Sequence, residues 1–157
     1  MIPRFWLLCV IGGVLLLDMW GCMGNRFEQR TEMIKEHVSS FYEHLESRQP
    51  DQAIFDNRRI EQIALESEEY LLRRVGQLSQ PERTQEWKLI KTAKEAAAEN
   101  WLALARYFTQ AHDYKRAQGT FQRMLDTYSD SAFRTYQERA KAGLRDLELL
   151  GSPEPKP

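Results

Sequence analysis

Few residues in this chain could perform chemistry, and two of its histidines are the first to consider. His37 and His44 are seven residues apart, so on a helix they would lie on roughly the same face. Glu36 and Glu43 are nearby, but a metal site needs further ligands at matched spacing, and no thiolate is available. The pattern therefore favours a solvated or rim position for both histidines. His112 falls in a predicted turn, where a polar residue is ordinary.

Motifs typical of enzymes are missing from the sequence. It has no glycine-rich phosphate loop, no Gly-x-Ser-x-Gly elbow and no His-Glu-x-x-His zinc motif. Glu66, Glu68 and Glu69 are crowded carboxylates. Arg73 and Arg74 follow at helical spacing, so surface ion pairs explain this crowding better than acid–base catalysis. We predict that the protein is not an enzyme and that it uses neither a cofactor nor a metal.

Cys22 is the remaining side chain with chemical potential, and the residues before it give it a role. Arg4 precedes an apolar run of 13 residues, Phe5–Leu17. A membrane-spanning helix needs about 20 apolar residues, whereas the apolar part of an export signal needs roughly 7–15. The only other cysteine, Cys9, lies inside this run. Removal of the leader would leave Cys22 alone, and a single cysteine in an exported protein needs an explanation.

The pair Gly21–Cys22 resembles the cleavage box of bacterial lipoproteins, in which a small residue precedes the cysteine. Met19 and Trp20 depart from the small and branched residues that this box prefers. The resemblance implies that residues 1–21 are a signal peptide and that Cys22 is the lipid attachment site. It also implies a location in the bacterial cell envelope, with the protein held by its lipid on a membrane and facing the periplasm.

The residue after the cysteine, Met23, mildly favours the outer membrane by the sorting rule of that family. Two alternatives stay open. In one, the apolar segment remains as an uncleaved anchor helix and Cys22 is incidental. In the other, an ordinary signal peptide is removed without lipid attachment.

Composition and charge restrict the rest of the chain. The 157 residues carry a net charge of −1, with no basic excess of the kind that marks a nucleic-acid-binding protein. Glycine and proline are scarce in the middle, whereas Glu, Gln, Arg, Leu and Ala are plentiful. Straight-chain residues and alanine lose little entropy in a helix, so this composition predicts an all-α body the size of one domain.

Apolar residues recur at spacings of three, four and seven, and they predict five helices. The predicted ranges are Phe27–Ser47, Asp51–Leu78, Pro81–Ala111, Tyr114–Tyr128 and Ser131–Leu150. A break in the third helix is allowed between Lys94 and Asn100. The helical domain thus covers residues 27–150, after a short tether at 22–26, and a disordered proline-rich tail covers 151–157.

The third and fourth helices carry a motif with fixed offsets. The apolar stripe of the third helix consists of Trp87, Ile90, Ala97, Trp101, Leu104, Ala105 and Phe108, and the fourth contributes Ala117 and Phe121. From Trp101 onwards, these residues resemble the tetratricopeptide repeat, with Ala105 in place of the usual glycine and Phe108 in place of tyrosine. Ser129 replaces the closing proline. The resemblance covers one repeat and a capping helix, about Ala98 to Leu147, and implies a fragment of an α-solenoid built from antiparallel helical hairpins.

In that family, the first helix of each repeat lines a groove that binds a peptide or helix. The resemblance implies that the partner-binding residues are those on the face of the third helix opposite its core stripe, namely Glu99, Leu102, Arg106, Thr109 and Gln110. The sequence therefore predicts a membrane-anchored adaptor that binds another envelope protein. The alternative is a structural homo-oligomer, because tetratricopeptide stacks usually need about three repeats for stability.

Overall fold

The computed structural model of the chain describes residues 22–151, with side chains from Arg26 to Leu150. Within this range the regular elements are all helical, so the prediction of an all-α protein with about five helices is confirmed. They are α1 (Cys22–Glu46), α2 (Pro50–Arg74), α3 (Gln80–Gln110), α4 (Tyr114–Thr127), a 3₁₀ turn (Ser131–Phe133) and α5 (Arg134–Gly151). The predicted signal peptide, and the predicted tail after residue 151, lie outside the described residues.

Two helix boundaries differ from the sequence prediction by more than three residues, and the allowed break in α3 is not formed. The first helix begins at Cys22, so the segment 22–26 is helical, and α2 ends at Arg74 rather than Leu78. The third helix runs without interruption for 31 residues. Its start is fixed by Ser79, whose backbone N–H donates to the Glu82 carboxylate at 2.6 Å.

The helices are arranged in two layers. Each consecutive pair packs together, and in addition α1 packs against α3 and α3 against α5. In the first layer α3 lies between α1 and α5. In the second layer α2 packs against α1 and α3, and α4 packs against α3 and α5. Since consecutive helices are antiparallel, α1 and α3 run in the same direction, and both begin at one end of the bundle.

The core lies along α3. Every residue of the repeat-like motif in α3 and α4 is at most 3% exposed, including Trp101, Phe108 and Phe121. The Glu61 carboxylate of α2 accepts hydrogen bonds from the Trp101 indole at 2.8 Å and from the Tyr128 hydroxyl at 3.0 Å. Burial, with the nearby Glu61 charge, raises the pKa of Tyr128, so this hydroxyl stays a hydrogen-bond donor. One carboxylate thus joins α2 to α3 and to the end of α4.

A close approach fixes how α5 packs on α4. Gly143 of α5 lies directly against the buried ring of Phe121 of α4, and a Cβ atom at Gly143 would overlap that ring. Gly119 is also helical, but a Cβ atom there would meet open space. The two glycines therefore make a matched pair, one required by packing and the other not.

We expect Gly143→Ala to lower the free energy of unfolding by about 1–2 kcal/mol, because overpacking outweighs the gain in helix propensity. Gly119→Ala should raise it by up to about 1 kcal/mol, since only the propensity changes. Chemical denaturation of the purified full-length variants measures both values. Stabilisation by both substitutions to the same extent would contradict the packing of α5 on α4.

Candidate functional site

The structure separates the five residues that the repeat resemblance placed in a groove. Arg106 and Gln110 are exposed on α3, and Glu99 and Thr109 are half-buried. Leu102 is 0% exposed and belongs to the main hydrophobic core. Another protein could therefore contact Glu99, Arg106, Thr109 and Gln110. It could not contact Leu102 while the helices stay packed.

The expectation for Leu102 is therefore corrected. It rested on the assumption that α3 buries one stripe, which leaves Leu102 on the opposite, free side. In the structure α3 packs against α1 and α5 as well as α2 and α4, so a second side of the helix is covered. A helix enclosed in this way needs apolar residues on more than one face.

Charged and aromatic side chains from three helices meet on the outer side of the α1–α3–α5 layer. We call this surface the front face and define it by Tyr42 of α1, Glu99 and Arg106 of α3, and Tyr136 and Arg139 of α5. Arg139 donates two hydrogen bonds to the Glu99 carboxylate, at 2.5 and 2.6 Å, and its guanidinium lies 5.8 Å from the centre of the Tyr136 ring. This bidentate pair holds α5 beside α3.

Burial and the Glu99–Arg139 pair together set the protonation states on the front face. Hydrogen bonding to Arg139 lowers the pKa of Glu99, and the same bonds raise the pKa of Arg139. Burial, followed by the charge of Glu99, raises the pKa of Tyr42. Burial and the charges of Glu95 and Glu99 raise the pKa of Tyr136. Both tyrosines are therefore neutral hydroxyls at physiological pH and can donate hydrogen bonds to a partner.

A groove of about 360 Å³ lies at one end of the front face. Arg106, Thr109 and Gln110 of α3 line one side of it. The other side is formed by residues of α5 and α4 that the sequence interpretation did not select, namely Arg139, Ala142, Gly143, Asp146 and Phe121. The small side chains of Ala142 and Gly143 leave space in the groove, and its charged lining residues are Arg106, Arg139 and Asp146.

A second polar cluster joins α1 to α2. The Asp56 carboxylate is 5% exposed and faces His37 Nδ1 at 2.9 Å, His44 Nδ1 at 2.8 Å and the Ser40 hydroxyl at 2.9 Å. The side chains of His37 and His44 are 23% and 30% exposed, so both lie at the rim, as predicted, but their shared contact with Asp56 was not predicted. Burial alone would raise the pKa of Asp56, but the hydrogen bonds from these three side chains outweigh it and lower the pKa. The cluster binds two helices together.

Among residues 22–151, no group of three or more His, Cys, Asp or Glu side chains is arranged to hold a metal ion. None of the helices in this part of the chain combines the length and apolar character that a bilayer crossing requires. The groove at the end of the front face brings three of the predicted groove residues, Arg106, Thr109 and Gln110, to one surface.

Comparison of the chain with protein-family models, with curated proteins and with solved structures gave no match.

Replacing the buried carboxylate of the second cluster tests its contribution. We expect Asp56→Asn to lower the free energy of unfolding by about 2 kcal/mol or more at neutral pH, because a neutral amide cannot accept all three hydrogen bonds. The lowered pKa means that the contribution of Asp56 is complete above the ordinary aspartate pKa and is lost as the pH falls through the folded-state pKa. The difference between wild type and variant should therefore shrink below about pH 4.

Asp51→Asn is the matched control, since Asp51 is exposed and pairs with Arg116 at 2.7 Å on the surface. It should cost less than about 1 kcal/mol. Urea denaturation across a pH series measures both variants. Equal effects of the two substitutions would refute the role of the cluster in joining α1 to α2.

Proposed function

We propose that this chain is a membrane-anchored adaptor of the bacterial cell envelope, which binds another protein through tetratricopeptide-like helices. The observation that carries the proposal is the front face, where three helices present hydrogen-bonding and charged groups beside an open groove. In this proposal Cys22 bears the lipid, and the helical body is a short solenoid fragment.

The packing order of the helices supports the solenoid part of the proposal. In a solenoid of helical hairpins, the first helices of successive hairpins lie side by side, as α1, α3 and α5 do here. The burial of Trp101, Ala105 and Ala117 at the contact between α3 and α4 is what the repeat pattern requires of them. A binding surface on the layer of first helices is then expected.

The chemistry of the groove favours a peptide or helix as the occupant. Thr109 and Gln110 supply a hydroxyl and an amide. Arg106 supplies an exposed charge that forms no salt bridge with another described residue. Arg139 is already held by Glu99. A partner with an acidic or carbonyl-rich surface would complement Arg106, and the two neutral tyrosines would add hydrogen bonds.

Site-specific cross-linking tests the adaptor role. A photo-reactive residue placed at Gln110 in the membrane-bound full-length protein should capture one discrete partner, whereas the same residue at the exposed Arg58 of α2 should not. Arg106→Glu should then reduce the captured amount at least about tenfold, because it reverses the exposed charge of the groove. Equal capture from both positions, or capture that Arg106→Glu leaves unchanged, would refute the assignment.

Anchoring has its own test. We expect mass spectrometry of the protein recovered from membranes to find an N-terminal peptide that begins at Cys22 and carries acyl chains, because stable anchoring needs more than one chain. Cys22→Ser should abolish both the acylation and the processing. An N-terminal peptide that still begins at Met1 would instead support the uncleaved anchor.

A structural homo-oligomer is the second candidate, and exposed apolar residues favour it. Leu65 of α2 is 52% exposed and Trp87 of α3 is 60% exposed, and together with Phe133 they line a groove of about 590 Å³ on the other side of the bundle from the front face. Light scattering discriminates the two candidates. A dimer that Leu65→Gln disrupts, and that Phe55→Gln at another exposed position leaves intact, would favour the oligomer.

A further inference from the structure

Three arginine side chains surround one tyrosine ring at the end of the bundle where α1 begins. The ring belongs to Tyr70 of α2. The guanidinium carbons of Arg26, Arg74 and Arg30 lie 4.8, 5.5 and 5.9 Å from its centre. All three are within the range of a cation–π interaction, so a single ring brings three positive charges close together.

The carboxylates nearby balance only part of this charge. Arg30 pairs with Glu86 and donates to the Ser67 hydroxyl at 2.7 Å. Among the described residues, no carboxylate lies within ion-pair distance of Arg26 or Arg74. The repulsion between these guanidinium groups is therefore opposed mainly by the face of Tyr70, which is a weak counter-charge.

A cavity opens between these side chains. Its volume is about 240 Å³, and all three arginines and Tyr70 line it, together with the neutral side chains of Phe27 and Gln85. Two carboxylates also reach the cavity. Glu82 accepts the backbone N–H of Ser79, and Glu86 pairs with Arg30, so three guanidinium groups face two carboxylates and the lining keeps a net positive charge. Guanidinium groups bind phosphate oxygens in a planar, bidentate manner, and several of them converging on one cavity suit a phosphate group.

The position of the cavity identifies the source of the phosphate, on the basis of the proposed lipid anchor. Arg26 is four residues after Cys22, which corresponds to about 6 Å along a helix. A lipid on Cys22 would therefore hold the cavity at the level of the phospholipid headgroups. Leu72 is 77% exposed and Val75 is 54% exposed at this same end, where apolar side chains can enter the interface.

We propose that this cavity binds the phosphate of an anionic phospholipid headgroup, held by Arg26, Arg30 and Arg74 above Tyr70. The bound headgroup neutralises the two arginines that lack carboxylates and fixes the orientation of the helical body on the membrane. The neighbouring Arg73 takes no part, because it does not line the cavity and pairs with Glu69 at 3.1 Å.

The test compares Arg26→Gln/Arg74→Gln with the matched control Arg73→Gln, all in the full-length protein. Each altered arginine is exposed, so the variants should fold, and circular dichroism checks this. In neutral detergent, calorimetric titration with glycerol phosphate and with inorganic phosphate should show binding to the wild type. The double variant should bind at least about tenfold more weakly, and the control should stay within about twofold.

Reconstitution in bilayer discs distinguishes a lipid from a free anion. Phosphatidylglycerol in phosphatidylcholine discs should slow hydrogen exchange in residues 26–30 of the wild type and of Arg73→Gln, and should leave the double variant unchanged. Binding of soluble phosphate without any effect of phosphatidylglycerol would overturn the lipid as occupant. Absence of both effects would overturn the site. The mass of the N-terminal peptide, measured on the same preparation, reports separately whether the proposed anchor has failed.

Discussion

The enclosure of α3 is the constraint on which the rest of the structure depends. This helix packs against all four of the others, so it has almost no free side over its central turns. Four alanines make this possible, because Ala93, Ala97, Ala98 and Ala105 are all 0% exposed and allow neighbouring backbones to come close. The large side chains of α3, such as Trp101, are then confined to the gaps between helices, and Glu61 fixes the indole by accepting its N–H.

With α3 fixed, the positions of the front-face residues follow. Glu99 and Arg106 are on the strip of α3 that remains between α1 and α5, and the flanking helices supply Tyr42 and Arg139 on either side. The bidentate pair of Glu99 and Arg139 then joins α3 to α5, whose packing on α4 is already set by Gly143 against Phe121. Polar groups on this face are thus held by rigid helices, which reduces the ordering cost of binding a partner.

The sequence predicted the helices well because apolar periodicity and turn residues act locally. It failed where the answer depended on a second helix. Apolar periodicity predicts a single buried stripe on α3, which leaves Leu102 outside the core. The same stripe includes Trp87, but Trp87 is 60% exposed beside an open groove. The contact of His37 and His44 with Asp56 could not be predicted from their own helix, because Asp56 is on the next one. Of the five predicted groove residues, Arg106, Thr109 and Gln110 line one groove, and the opposite wall could not be identified without the packing of α5.

The direction of α1 relates the two proposed sites to each other. Arg26 and Tyr42 are 16 residues apart on this helix, or roughly 24 Å along its axis, so the arginine cavity and the front face are towards opposite ends of the bundle. If Cys22 is anchored, the cavity faces the membrane and the front face points away from it. A headgroup bound to α1, α2 and α3 together would then orient the whole body, because Asp56 and Glu61 tie these helices to one another. An adaptor held in this way would present its groove to partners in the aqueous compartment, beyond the reach of a lipid that could compete for it.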